Sequence, residues 1–375
     1  MHKMTRRMLL SAMAVAAIGL SGPAFAEKAP VKIGYMMPTK ALSGKEAVQG
    51  AELAVKMIND AGGILGGRKL ELVIYDDAFS PVEGVSAVQR LLGRDNIKIV
   101  SGNIGSSVAL AILPIVRAEN ALYMATIPKH TDVTKTGYDK IFRLNTTPVM
   151  DGQVFNKFIL ETIKPQKIAM ILENSDIGRQ TEAVIKRAVA VPGGPQVAFV
   201  GYYELQQSDF SAVVTDAKAS GADALYVSGA TVEQYANVIR QTRELGYNPK
   251  HKMLLPGLLN KRVMELAGAA AEGVMSADIY FPDLDNALNK RFVEAFRKAY
   301  TNTPEKVEVL GFETPWILAK AIDKAGTATD LGKIAATIRG NTWDSPRGKI
   351  SFDATGQASA EILIVTVRNG KIVRN

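Results

Sequence analysis

The sequence predicts an α/β protein built from two doubly wound units with a cleft between them. Three observations carry this. Short apolar runs alternate with helix-patterned segments, the alternation restarts after Thr147, and 375 residues is a two-domain length. Strands separated by helices form parallel sheets through right-handed crossovers.

The elements follow in order. Val31 to Tyr35 reads as a strand, and Gly44 to Ala61 as a helix with Val48, Ala51, Val55 and Ile58 on one face. Ser43 with Glu46 has the spacing of a capping box, and Gly62 and Gly63 stand where the helix must end. Leu70 to Tyr75, Ile97 to Ser101 and Leu122 to Thr126 are further strands. Helices over 83–92 and 107–119 separate them, the second bent or delayed by Pro114. In the second unit the strands are Lys167 to Leu172, Val197 to Tyr203, Ala224 to Ser228 and Met253 to Leu255. The helices there are Gly178 to Ala190, Phe210 to Ser220 and Val232 to Leu245. The remaining chain adds helices over 288–300, 312–325 and 330–339, with strand material at 349–352 and 362–374.

Lys3, Arg6 and Arg7 precede an apolar run from Met8 to about Leu20, and Ala24-Phe25-Ala26 closes it. This is the pattern of a secretory signal peptide over 1–26, cleaved after Ala26. The run is too short to span a bilayer, so the mature chain is expected in the periplasm and not inserted in a membrane. Thr5 to Leu10 also fits a twin-arginine signal, so both export routes stay open. The formal net charge is +8, part of it in that leader, and no Lys/Arg block stands out. Nucleic acid is therefore not an expected partner. With zero Cys there is no disulfide, thiolate metal site or lipid-modified cysteine. Beyond the leader only His130 and His251 remain, thin material for a metal site or a histidine-based triad. No Gly-x-Ser-x-Gly is present, and no Gly-x-Gly-x-x-Gly follows a predicted strand. No enzyme activity, metal or cofactor is expected.

In open parallel sheets, ligands sit beyond the carboxyl ends of the strands. That rule selects loops 36–43, 76–81, 102–107 and 126–132 in one unit, and 173–177, 204–209, 229–232 and 256–259 in the other. Loop 102–107 reads Gly-Asn-Ile-Gly-Ser-Ser. Gly102 and Gly105 allow close backbone approach, and Ser106 and Ser107 stand at a helix start, where free N–H groups suit a small carboxylate. The plainer alternative makes Ser106 an N-cap. Lys129 either pairs with an acidic ligand or is a solvated loop lysine, and His130 reads as a polar loop residue. Asp76 and Asp77 are expected to cap the next segment and brace the cleft rim. Gly62 to Gly67 follows a helix, the wrong order for a phosphate loop, and reads as a turn.

Longer motifs point further. Gly50 to Gly67 (GAELAVKMINDAGGILGG), Tyr75-Asp-Asp, Ser106-Ser, Ile141-Phe-Arg-Leu-Asn, Asp209-Phe-Ser, Gly221-Ala-Asp-Ala and Pro346-Arg-Gly-Lys-Ile-Ser-Phe-Asp run along the mature chain. Together they resemble the leucine/isoleucine/valine-binding proteins of ABC importers, type I periplasmic binding proteins. The resemblance implies two Rossmann-like lobes, parallel sheets flanked by helices, joined by three crossings and closing on a ligand. It implies 27–147 plus about 280–355 for lobe 1, and 148–279 plus about 356–375 for lobe 2. A monomer that hands a small molecule to an inner-membrane ABC permease is expected.

The family's carboxylate-binding serine falls on Ser106, with Gly105 and Ser107 beside it. The backbone carbonyl and threonine that usually receive the α-amino group fall on Ile127 and Lys129. The opposing tyrosine and glutamate fall on Ala230 and Gly257. A tyrosine after the first strand of the second lobe is Ile177, and the residue at the first cleft loop is Ser43. The anion end is kept, while the ammonium end has lost its threonine and carboxylate. A buried ammonium without partners costs several kcal/mol. The expected ligand is therefore a carboxylate without an α-amine: an aromatic acid, a keto acid or a short fatty acid. Ordinary branched-chain amino acid binding and a sensory role on the same fold are the alternatives.

Overall fold

The structure is a computed structural model that describes residues 28–229, 231–254, 256–257 and 259–375; the leader over 1–26 and Ala230 lie outside the described residues. The first sheet holds β1 (Val31–Met37), β2 (Leu70–Asp76), β3 (Ile99–Gly102), β4 (Leu122–Ala125) and β5 (Ile141–Arg143) in the order β2-β1-β3-β4-β5. All its pairings are parallel. Helices α1 (Leu42–Asp60), α2 (Pro81–Gln89) and α3 (Ser106–Ala118) connect these strands. After α4 (Pro148–Phe158) the second sheet takes β6 (Lys167–Glu173), β7 (Gln196–Tyr203), β8 (Ala224–Val227), β9 (His251–Leu254) and β10 (Val274–Asp278). Between them run α5 (Asp176–Val189), α6 (Ser211–Ala219), α7 (Val232–Glu244) and α8 (Lys261–Ala267).

The chain then returns to the first core. Helices α9 (Ala287–Tyr300), α10 (Lys306–Ala325) and α11 (Leu331–Arg339) precede a hairpin of β11 (Trp343–Ser345) and β12 (Gly348–Ile350). Leu310, Ile322, Ile334, Trp343 and Ile350 share one apolar core with Ile33, Leu122 and Phe142 of the first sheet. Finally β13 (Leu363–Arg368) and β14 (Lys371–Arg374) join the second sheet, giving the order β14-β13-β10-β9-β8-β6-β7, antiparallel only at β10-β13 and β13-β14. The chain thus crosses between the sheets three times: after β5, after β10 and after β12.

Two of these crossings are bonded to each other. Arg143 donates its N–H to Gly356 O (2.9 Å) and its carbonyl accepts from Ala358 N (2.9 Å). Its guanidinium donates to Gln357 Oε1 at 2.6 Å, to Thr134 Oγ1 at 3.1 Å and to the carbonyl of His130. Gln357 in turn donates to Asn145 O at 2.8 Å. An arginine exposed by only 1% thus meets acceptors from the last crossing and from the loop that leads into β5.

Helices α1 and α10 approach with no side chain between them at two points. A Cβ at Gly50 would lie 1.9 Å from Glu308 O, and one at Gly311 would lie 2.1 Å from Ala47 O. Several expectations from the sequence need correction here. Ser43 and Glu46 form no capping box, because α1 starts at Leu42 behind Ala41, whose N–H bonds Pro38 O (2.9 Å), and it has no side-chain cap. α10 starts at Lys306, six positions ahead of the expected 312, because its first turns are buried nearly all round and so carry no amphipathic period. Glu305 and Glu308 cap it. α4 was not expected, although Thr147 accepts from Met150 N and Pro148 occupies the first turn. β5, α8 and β10 were also not expected. Pro114 lies inside α3 without ending it.

Gly311→Ala should therefore cost about 1–3 kcal/mol through overpacking of the helix crossing. Gly332→Ala on α11, where a Cβ would meet Asp330 Oδ1 at 3.6 Å, should be neutral or stabilising. Urea unfolding midpoints check both; an unchanged midpoint for Gly311→Ala would contradict the close crossing.

Candidate functional site

The carboxyl ends of the first sheet face those of the second. α3 begins at Ser106 behind Gly105, and no side chain caps it, so its first N–H groups and its dipole are open to an anion. Ser106 Oγ accepts from the backbone N–H of Lys129 and of His130, both at 3.2 Å. Ser106 is thus not an N-cap. With its lone pairs occupied, its hydroxyl proton is left to donate, and it has no acceptor among the described residues. Ser107 Oγ donates across the cleft to Asp176 Oδ2 at 2.7 Å, beside half-buried Ile177 at the start of α5.

The other end of the loop is filled by the protein's own nitrogens. The Ile127 carbonyl accepts from Asn145 Nδ2 at 2.8 Å, and the Ile127 side chain packs into the first core. Lys129 is not a solvated lysine. It is 8% exposed, and its ammonium donates to Thr146 Oγ1 and Pro256 O, each at 3.1 Å. It also lies 2.5 Å from Asp151 Oδ2 of α4, an ion contact rather than a well-directed hydrogen bond. Lys129 thereby ties the first sheet's loop to the second lobe.

At Gly257 a second ammonium arrives. Lys306 Nζ, at the start of α10, donates to Gly257 O at 3.3 Å. Gly257 has φ +95°, which favours glycine, and a Cβ there would lie 1.7 Å from Lys306 Nζ, so that ammonium would have to move. Burial above all, then the neighbouring Lys129 charge, lowers the Lys306 pKa to about 7. Lys306 and Gly257 open on an interlobe groove of about 1420 Å³ that also takes in Leu259, Met264, Asp278 and Tyr280. Of the individual ligand-binding candidates that the structure describes, only Gly257 lines this groove.

Ser43 is buried in the first turn of α1. Asp77 does brace the rim: it accepts from Asn103 Nδ2 at 2.7 Å and from Phe79 N at 3.1 Å, and burial raises its pKa to about 6. The cap of α2, however, is Ser80, not either aspartate. His130 Nδ1 accepts from Asp132 N at 3.3 Å, and burial lowers its pKa. Sequence reasoning missed Asp151, Asn145, Lys306, Asp278 and Glu173. Glu173 ends β6 at the cleft side of the second sheet, where Ser175 Oγ donates to its Oε1 at 2.5 Å and its Oε2 has no partner among the described residues. Burial raises its pKa to about 7.

Two outcomes follow. Lys129→Met leaves Asp151 buried without its cation and should cost about 3–5 kcal/mol, whereas the double variant Lys129→Met/Asp151→Leu should recover part of that loss. Purely additive costs in urea unfolding would refute the pairing. For Glu173 the folded pKa of about 7 lies above the ordinary 4.5. Its contribution is therefore full below pH 4.5 and lost as pH rises through 7. Glu173→Gln should raise the melting temperature at pH 8 and leave it nearly unchanged at pH 5; equal effects at both would contradict the buried acid.

The chain matches the family described as periplasmic binding protein over residues 30–371. It is 31% identical to the leucine-, isoleucine-, valine-, threonine- and alanine-binding protein of Pseudomonas aeruginosa, over 95% of this chain and 94% of that one. Its fold superposes on the leucine-binding protein LivK of Thermotoga maritima with a TM-score of 0.84 at 24% identity, covering 92% of this chain and 97% of the other. A solute-binding protein of an ABC transporter from Rhodopseudomonas palustris, in complex with 3,4-dihydroxybenzoic acid, superposes with a TM-score of 0.83 at 24% identity, covering 92% and 96%. The residues that fill this cleft thus belong to a solute-binding fold and not to an enzyme: the chain is a member of the periplasmic binding protein family.

Proposed function

We propose that the chain is the periplasmic binding component of an ABC importer and captures a small carboxylate that lacks an α-amino group. The observation that carries the reading is the filled ammonium end. Asn145 already donates to the Ile127 carbonyl, and the Lys129 ammonium stands where a ligand amine would look for a threonine. An ammonium arriving at that position would meet the Lys129 cation, a repulsion that is strong where water is excluded. The carboxylate end keeps what an acid needs: the open N-terminus of α3 and the free proton of Ser106. The fold alone does not choose the ligand, since its relatives include a leucine-binding protein and one in complex with 3,4-dihydroxybenzoic acid.

On this reading residues 1–26 are removed after Ala26. The mature protein works as a monomer in the periplasm, and its two lobes (27–147 with about 280–355, and 148–279 with about 356–375) close on the acid and present it to an inner-membrane permease. Among the described residues no helix is long and apolar enough to cross a membrane.

Refolding the mature chain free of ligand and recording thermal shifts tests this. Benzoates, keto acids and short fatty acids should raise the melting temperature by mass action. Ser106→Ala removes one hydrogen bond to a charged group, about 1.5–3 kcal/mol, and should weaken that binding by about ten- to a hundredfold. A rise with leucine, isoleucine or valine alone would overturn the proposal in favour of branched-chain amino acids.

A further inference from the structure

The groove of about 1420 Å³ at Lys306 is a space of its own, separate from the Ser106 end. Among the described residues none of α3 lines it, and neither Ile127 nor Lys129 does. It runs instead from Gly257 past α8 and β10 to β14. Its volume exceeds the roughly 300–1,000 Å³ of an ordinary small-molecule pocket, so it has room for a ligand longer than a benzoate. Leu259, Met264, Tyr280, Phe281, Val307 and Ile372 give it apolar walls. Among them stands one buried cation. Lys306 is 6% exposed, and its ammonium has three donors but one hydrogen-bond acceptor among the described residues, Gly257 O at 3.3 Å. Asp278, the acid that acts on it most, instead accepts from Ile279 N at 2.7 Å. Unfilled buried donors are expensive, which makes Lys306 costly to keep for folding alone.

The remaining charge in the groove leaves Lys306 unopposed in mild acid. Six exposed side chains divide evenly by sign: Glu265, Glu272 and Asp283 against Lys261, Arg297 and Lys371. The deeper acids are Glu46 of α1, Glu305 and Glu308 at the start of α10, and Asp278 of β10. Burial is the chief cause that raises all four, the three glutamates to about 7, so near pH 6 the glutamates are mostly uncharged. We propose that this groove is a second ligand site, for an amphiphilic monocarboxylic acid whose one acid group fills the open donors of Lys306 and whose hydrocarbon chain lies along the apolar walls. The site shares no lining residue with α3 and stands independently of the carboxylate reading of the Ser106 end.

The groups facing Lys306 set the pH behaviour. Besides Asp278, they are Asp151 of α4, Lys129 of the loop after β4 and Arg347 of the β11–β12 turn. Burial first, then the Lys129 charge, lowers the Lys306 pKa to about 7. At pH 6 the ammonium is mostly charged and ready for an acid. At pH 8 it is mostly neutral and must take up a proton before it can pair, while the glutamates regain their charge. Acid affinity is therefore highest below pH 7 and falls as pH rises through it, by about tenfold at pH 8 from the lysine alone.

The test is methionine-methyl NMR on the refolded mature protein with decanoate, kept below its micelle concentration. Met264 lies on the groove wall, and Met264→Leu identifies its signal. At pH 6 decanoate should shift the Met264 methyl saturably, and at pH 8 it should bind about tenfold more weakly. Lys306→Leu should weaken it at least tenfold, Lys306→Arg should retain it, and decylamine should bind at least tenfold more weakly than decanoate. Melting curves establish that each variant is folded, and if Lys306→Leu does not fold, the Lys306→Arg and decylamine results decide. Benzoate probes the other end of the cleft. A Met264 signal unmoved by decanoate while benzoate still raises the melting temperature would overturn the groove site and leave the carboxylate reading standing. Decanoate moving Met264 while no small acid stabilises the protein would support the groove site and overturn that reading. Decylamine binding as tightly as decanoate, or decanoate binding Lys306→Leu undiminished, would overturn the role of Lys306.

Discussion

Everything in this molecule depends on how two sheets are held together by chain that crosses between them, and Arg143 governs that junction. A guanidinium cannot shed its proton, so once buried it must be met by acceptors. The acceptors it finds belong to different passages of the chain: Gln357 on the last crossing, and Thr134 and the His130 carbonyl on the loop that leads toward the first. Burial lowers its pKa only to about 10, so it stays charged, and the requirement stays in force. The loop bearing Lys129 and His130 is thereby fixed in height, and Ser106 is aligned with it through the two N–H groups it accepts. The helix start that would grip an acid is therefore positioned from the hinge.

The cleft's electrostatics follow from the same geometry. Buried charges are tolerated when paired, and Lys129 has Asp151, Thr146 and Pro256 around it. Glu313 and Arg347 form a second such pair at 2.7 Å, with Arg347 also donating to Leu144 O at 3.2 Å, and so tie α10 to the first crossing. α10 thus carries a satisfied ion pair at its middle and an under-satisfied ammonium at its start. The start of α10 is thus the less satisfied part of the helix. Glu46, Glu305 and Glu308, each raised to about 7 chiefly by burial, keep the neighbouring wall from adding full negative charge at neutral pH.

The strand–helix alternation made most of both sheets legible, because parallel strands are continuous apolar runs and their helices are amphipathic. What escaped had a physical reason. β5 and β10 are short, α4 follows a crossing rather than a strand, and the early turns of α10 are buried on nearly all sides. Within the candidate site, Ser106, Lys129 and Gly257 were legible as loop residues at strand ends. Their partners were not: Asp151 reads as an ordinary acid near a helix start, and Lys306 as an ordinary helix lysine. The capping-box pattern at Ser43 and Glu46 misled because the turn closed by Ala41 starts the helix two residues earlier. Sequence spacing reports which side chains lie on one element. It does not report which element from two hundred residues away will meet them.

Those long-range partners bear on how such a protein responds to its ligand. Ser107 to Asp176, Lys129 to Pro256, Lys306 to Gly257 and Thr131 N to Gln180 Oε1 all join one lobe to the other. A ligand shifts an open–closed equilibrium only by the difference in its affinity for the two states. Contacts that the chain makes with itself on closing lower the part of that difference the ligand must supply. They also screen ligands, because an amine that displaced the Lys129 ammonium from Thr146 and Pro256 would break lobe–lobe contacts to make its own. An acid at α3 breaks none of the bonds made by Lys129 or Ser106. On the proposed carboxylate reading, selectivity against amines would arise from the cost of undoing closure as much as from repulsion at the binding point.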